Sequence, residues 1–202
     1  KMQCAYDESF LLVTDKKLSN LRELIPTLEY CVSQKRPLLI IAEDAEAEAL
    51  QGLVLNRVKA QMAVCVIKAP GYGQHKIELL QDICVMTGAK LVSASTGVTL
   101  EDSKNALGKV KRFIVDAKGT TLVAPSSTRT AIEERVNELR TQLTDVTISI
   151  ETMEKLRMRV AKLSKGIATI RVGGATEVEM IERKHRIEDA LNATRAAAAE
   201  GI

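Results

Sequence analysis

An α/β fold built on a mainly parallel sheet flanked by helices is what this 202-residue sequence predicts. Three observations carry it. FLLVT (10–14), PLLIIA (37–42) and MAVCVIKA (62–69) are short apolar runs, and PLLIIA has the unbroken pattern of a strand buried on both faces. Segments with helical apolar spacing separate them, the alternation expected of repeated β–α–β units with right-handed crossovers. From Gly108 the pattern changes, because GKVKRFIVDAKGTTLVAP sets an AKG turn between two β-rich runs and predicts a hairpin.

The first helix, ending near residue 33, carries Leu18, Leu21, Ile25 and Leu28 on one stripe with Leu24 beside it. Pro26 interrupts it, so a helix start or a kink is expected near Ile25. After PLLIIA, the acidic run Glu43, Asp44, Glu46 and Glu48 suits a helix N-terminus, where the dipole favours negative charge. The helix that follows, to about residue 60, holds Ala49, Leu50, Leu53, Val54 and Leu55. Three consecutive apolar residues at about 100° each sweep about 200°, wider than a core-facing stripe. Both helices therefore carry more apolar surface than one core uses, and a shared groove that accepts an apolar segment of another chain is expected between them.

A helix from about 75 to 86 and a strand beginning at Lys90 complete the alternating half. Two amphipathic helices follow the hairpin. One, from about 128 to 143, carries Ile132, Val136, Leu139 and Leu143 on one stripe; the other, from about 151 to 164, carries Met153, Leu156, Val160 and Leu163. Their outer faces, rich in Glu, Arg and Lys, are expected in solvent. A strand-like GIATIRV then leads to a helix capped by Thr176, with Glu177 and Glu179 in its first turn. The chain begins and ends abruptly, at Lys1 and Ile202, as an excised fragment would.

Composition excludes several classes of function. A net charge of +3, no Trp, two Phe and three Tyr leave neither a basic field nor stacking platforms, so no nucleic-acid partner is expected. No apolar run approaches the roughly 20 residues of a membrane span, and KMQCAYDES lacks the apolar core of a secretory signal. A soluble intracellular protein with no membrane partner is expected. Cys4, Cys31, Cys65 and Cys84 form no C-x-x-C pair, and His75 and His185 are far apart, so neither zinc nor disulfides are indicated. Cys65 and Cys84 are expected to pack as small hydrophobes in a reducing compartment. KAPGYG (68–73) reads as a tight turn rather than a phosphate loop. No P-loop and no serine–histidine or cysteine–histidine pairing stands out, and Asp189, alone in mid-helix, gains no chemistry from the pattern.

The segments DKKLSNLRELIPTLE, RPLLIIAEDAEAEALQGLVLN, VIKAPGYG, LLQDICVMTGA, EKLRMRVAKLSKGIATIRVGGATEVEM and RIEDALNATRAAAAEGI resemble, in order and over nearly the whole chain, the group I chaperonins. The resemblance implies most of an apical, polypeptide-binding domain at 1–165 and part of an intermediate domain at 166–202. It further implies a homo-oligomeric ring of seven subunits. In that family the two apical helices bind non-native polypeptides and then the co-chaperonin. Carried over, Ile25, Leu28, Leu50, Val54 and Leu55 are apolar groove positions, and Asn56 is the polar residue at its edge. Lys165 and Gly166 match the hinge between the domains, Glu177 an inter-subunit carboxylate, and Asp189 the catalytic aspartate that helps activate water at the ATP site. ATP and Mg belong to the full-length protein; no cofactor is expected in this fragment, nor ATP hydrolysis by it alone. The resemblance places the protein in the cytoplasm of a bacterium or in the matrix or stroma of an organelle.

The sequence departs from that pattern at Lys165 in place of the first hinge glycine, at Ala47, at Gln74-His75 and across 91–130. These departures support an alternative: a divergent paralogue that is structural, or binds one dedicated partner, without a folding cycle. A small doubly wound domain holding a nucleotide on KAPGYG is the enzymatic alternative, without a ribose-binding acid to support it.

Overall fold

The computed structural model describes residues 3–59, 61–117, 119–145, 148–164, 170 and 172–201. The chain divides into two compact units, Lys1–Lys165 and Gly166–Ile202. The strands are β1 (Gln3–Val13), β2 (Lys17–Leu18), β3 (Leu38–Ala42), β4 (Asp44–Ala45), β5 (Val64–Lys68), β6 (Gly108–Asp116) and β7 (Thr120–Val123). The helices are α1 (Ile25–Ser33), α2 (Ala47–Lys59), α3 (Gly73–Thr87), α4 (Arg129–Leu143), α5 (Ile150–Ser164) and α6 (Glu177–Glu200).

Five strands make one sheet in the order β5-β3-β1-β6-β7. β1 runs parallel to β3, with Phe10 opposite Leu38 and Val13 opposite Ile41, and β3 runs parallel to β5. On its other side β1 pairs antiparallel with β6, which turns back into β7. The class is α/β as expected. The sheet is mixed, its parallel part confined to one side and the expected hairpin forming the other.

Side-chain alternation along the strands sorts the core into two layers. Phe10, Leu12, Leu38 and Ile40 point to the side covered by α1 and α2, where they meet Leu28, Cys31, Ala49 and Leu53. Leu11, Val13, Leu39 and Ile41 point to the other side, against Leu80 and Cys84 of α3 and Phe113 of β6. Every residue of β3 is buried, as PLLIIA requires.

Four expectations are corrected. Leu18 belongs to no helix: Lys17–Leu18 pairs with Asp44–Ala45, and a 3-10 turn at Leu21–Leu24 precedes α1, which starts at Ile25 with Pro26 in its first turn. The acidic run is not one helix terminus, because Asp44 sits in that short strand pair and only Glu48 lies in the first turn of α2. The strand expected from Lys90 shrinks to a single bridge between Val92 and Thr14. Hydroxyls there compete with ladder formation: Thr96 Oγ1 donates to Leu91 O at 2.7 Å and Ser93 Oγ to Asp15 Oδ2 at 2.6 Å. Finally, the charged faces of α4 and α5 are not wholly solvated, since Arg135 and Arg159 turn inward.

Those two arginines join three helices. Arg159, 3% exposed, donates from Nε to Asp82 Oδ2 at 2.6 Å and from Nη2 to Asp82 Oδ1 at 3.0 Å, a two-pronged bond from α5 to α3. Its third prong reaches Glu78 Oε2 at 2.8 Å, and Arg135 of α4 donates to Asp82 Oδ1 at 3.0 Å.

In the second unit, Thr176 caps α6, accepting from the Glu179 backbone N–H at 3.2 Å, while the Glu179 carboxylate accepts from the Ala175 N–H at 2.9 Å. The expected cap and acidic first turn are both there. The proposed hinge, Lys165-Gly166, lies outside the described residues, as does most of GIATIRV.

Replacing Asp82 by Ala strands two arginines, one of them almost wholly buried, and should cost about 3–5 kcal/mol of unfolding free energy in denaturant titration. The double change Asp82→Leu, Arg159→Met removes both charges and should cost clearly less than the single one; a larger loss would mean the pair is net stabilising rather than merely satisfied.

Candidate functional site

The described surface is notable for a cavity of about 470 Å³ beside α1 and α2, a size within the usual range for sites that bury a ligand. Leu21 from the 3-10 turn and Ile25, Leu28 and Val32 from α1 follow at steps of four, three and four, so they line one side as a continuous apolar stripe. Met62, just ahead of β5, closes one wall, Asn56 comes from α2, and Glu29 and Ser33 supply polar edges. Asn56 Nδ2 donates to Gly52 O at 3.0 Å, one turn back, which satisfies its amide within its own helix.

Of the residues singled out by resemblance, the structure brings Ile25, Leu28 and Asn56 together on this cavity. Leu28 is 6% exposed and forms its floor, whereas Ile25 is 41% exposed at its mouth. Leu50, Val54 and Leu55 lie outside its lining as exposed side chains of α2, at 41%, 61% and 54%. At about 100° per residue, Leu50, Val54 and the exposed Val58 fall within about 80° of one another, roughly opposite Gly52 and Asn56. α2 thus turns a small, polar-tipped face toward α1 and an apolar ridge outward. Leu21 belongs to the stripe expected on the first helix, whereas Val32, Met62 and Val58 were not among the expected residues, although Val32 and Val58 continue, at i+4, the spacing that marks Leu28 and Val54.

The acidic run and KAPGYG take structural roles. Lys76 holds Glu43 at 2.8 Å, and this bond and charge push the Glu43 carboxyl below its ordinary value. The backbone N–H of Ala45 and then Lys68, at 3.4 Å, lower that of Asp44. KAPGYG is a tight turn, with Gly71 and Gly73 at φ +79° and +56°, and α3 begins at its last glycine. Glu177 and Asp189 are exposed on α6. Among the described residues no three His, Cys, Asp or Glu side chains are grouped to hold a metal ion, and no helix is long and apolar enough to cross a membrane.

Residues 7–202 match the model of the TCP-1/cpn60 chaperonin family. Among solved structures, the chain is similar to the chaperonin gp146 of bacteriophage EL, crystallised in the presence of ATP-BeFx: TM-score 0.68 and 22% identity, over 96% of this chain and 39% of that one. The open-state monomer of a group II chaperonin from Methanococcoides burtonii aligns only loosely, with TM-score 0.31 and 10% identity over 79% of this chain and 46% of its own. The chain therefore spans less than half the length of these chaperonins.

What the cavity offers chemically is burial of apolar surface, and the thiols of the two core layers, Cys31 on its side of the sheet and Cys65 and Cys84 on the other, are held in their neutral form. Burial pushes Cys31 and Cys84 up to about 12, and burial together with neighbouring Cys4 does the same for Cys65. At pH 9.0, the ordinary value for a thiol, alkylation of these three should be about 500-fold slower in the native protein than in the unfolded chain, read by mass spectrometry over time. The raised values also fix a sign: the neutral thiols stabilise the fold fully below pH 9.0, and this contribution is lost as pH climbs toward 12.

Proposed function

Because the chain belongs to the TCP-1/cpn60 chaperonin family, we propose that it is the polypeptide-binding part of a group I chaperonin, holding exposed apolar segments of non-native chains at the α1–α2 cavity. The observation that supports this most is the cavity itself: an open apolar trough beside two helices whose exposed Ile25, Val32, Val54 and Leu55 no core requires. Burial of apolar area contributes about 25 cal/mol per Å² without regard to direction, so a trough of this kind takes many sequences and prefers none. Ile25, Leu28 and Asn56 act within the cavity, and Leu50, Val54 and Leu55 on the exposed apolar surface of α2 beside it. The same surface then receives the co-chaperonin, and competition for it releases the client.

The family is ATP-dependent in general and forms oligomeric rings. Asp189 is a single exposed carboxylate of α6. In this reading ATP and Mg are held by parts of a full-length, seven-membered ring beyond these residues, and Asp189 is presented to them from α6. Glu177 faces a neighbouring subunit, and Lys165-Gly166 is the hinge on which the binding domain turns. A ring of this group acts in the cytoplasm of a bacterium or in the matrix or stroma of an organelle.

Binding of this chain to a chemically unfolded polypeptide and to the same polypeptide in native form tests the reading. Only the unfolded form should bind. Ile25→Ser with Val32→Ser, and separately Val54→Ser with Leu55→Ser, should each weaken it roughly thirtyfold, at about 1 kcal/mol for each half-buried apolar side chain lost. Equal binding to both forms, or affinity indifferent to both variants, would favour a paralogue with a dedicated partner instead.

A further inference from the structure

Gly52 lies in the interior of α2, where glycine is among the poorest helix formers, and nothing in its backbone calls for one. Its φ is not among the positive values that favour glycine. What it does is leave room. A Cβ at this position would stand 2.5 Å from Leu21 Cδ2 and 3.3 Å from Leu21 Cγ, closer than side chains tolerate, while no other atom crowds it within 3.4 Å. The Leu21 side chain therefore rests over the bare backbone of α2, and that same leucine lines the apolar cavity.

We propose that Gly52 is a specificity-determining residue of the cavity: by accommodating Leu21 it keeps the trough wide enough for bulky apolar anchors. The inference rests on the groove reading and adds which segments the groove prefers. If a side chain occupied position 52, Leu21 would have to yield, and its terminal methyl moves at little cost because it ends a flexible side chain. On its inner side Leu21 packs against the buried cluster that includes Leu18 and Leu24, which a close-packed interior does not let it enter further. The open direction is the cavity, and a displaced Leu21 narrows it. The Asn56 amide, which also lines the cavity, is anchored on Gly52 O within its own helix. A large aromatic or leucine anchor then loses contact, and a small one does not. Because the residue at 52 changes the trough without touching the sheet, it offers a means of tuning selectivity that leaves the fold alone.

The test uses two amphipathic peptides of equal length and charge that differ only in a central Phe or Ala anchor, titrated against the unsubstituted chain, Gly52→Ala, and Gly52→Ala with Leu21→Ala. Gly52→Ala should keep or raise the thermal midpoint, since alanine favours the helix. It should weaken the Phe peptide about tenfold, the scale on which an apolar pocket discriminates a group of methylene size, and leave the Ala peptide within about twofold. Removing the displaced leucine should restore the Phe peptide. Loss of both peptides alike, no loss at all, absence of rescue, or a Gly52→Ala chain that unfolds would each overturn the proposal while the groove reading stands. Failure of the unsubstituted chain to bind either peptide would instead overturn the groove reading, and this inference with it.

Discussion

A strand such as Leu38–Ala42, with no exposed residue, exists only if both faces of its sheet are covered, and that requirement decides where the other elements go. Two consecutive parallel crossovers of one hand place α1 and α2 on the same face, while the antiparallel hairpin that follows leaves α3 to cover the other. Covering one sheet face with two short helices leaves an unequal fit. Leu24, Leu28, Cys31, Ala49 and Leu53 fill the layer beneath, and the remaining apolar side chains of both helices stand at or above its rim. The cavity is thus a by-product of sheet geometry that the sequence has not filled. Filling it would be cheap, because burying a Val or Leu side chain contributes about 1.5–3 kcal/mol and stability as a whole is only about 5–15 kcal/mol.

On the opposite face the same problem is solved with charge. α3 covers the sheet with Leu80 and Cys84, but its outer side must itself receive α4 and α5, and there the contact is made by Asp82 with Arg135 and Arg159. Two arginines on one buried carboxylate leave an excess of positive charge, which Glu78 and Glu138 offset at 2.8 Å each. Such a network gains little over well-packed apolar residues, yet its directional bonds admit one docking of α5 on α3. The helix that runs up to Ser164 is thereby fixed on α3 rather than on the sheet itself.

Much of this was legible in the sequence, and what was legible was local. Uniform burial of PLLIIA, the helix start at Pro26, the AKG hairpin and the Thr176 cap each follow from a few adjacent residues whose conformational preferences agree. The failures are long-range. Nothing near Asp82 signals a partner 77 positions away, so Arg159 passed for surface. Lys17–Leu18 and Asp44–Ala45 are too short for a period to emerge, and they pair only because the strands before them end side by side. The run from Lys90 has strand-like residues, but Ser93 and Thr96 satisfy the backbone locally, and hydroxyl chemistry prevailed over propensity. At the cavity, an over-apolar helix pair was readable, while its division into a lined trough and an outward ridge depends on how α2 is rotated about its axis, which sequence spacing alone does not fix.

That rotation explains why one surface can be both permissive and bounded. Rotated so that Gly52 and Asn56 face α1, α2 offers a low wall with one satisfied amide, and the stripe from Leu21 to Val32 does the burying. Were α2 turned by half a revolution, Leu50, Val54 and Val58 would close over α1, and the trough would become core. Ala49 and Leu53, anchored against the sheet side of the helix, hold it in the open arrangement, because exchanging them for the ridge would expose two fully packed side chains to water. The apolar ridge is thus kept in solvent by the same burial that makes the sheet stable, and the surface stays available to any chain that brings apolar area of its own.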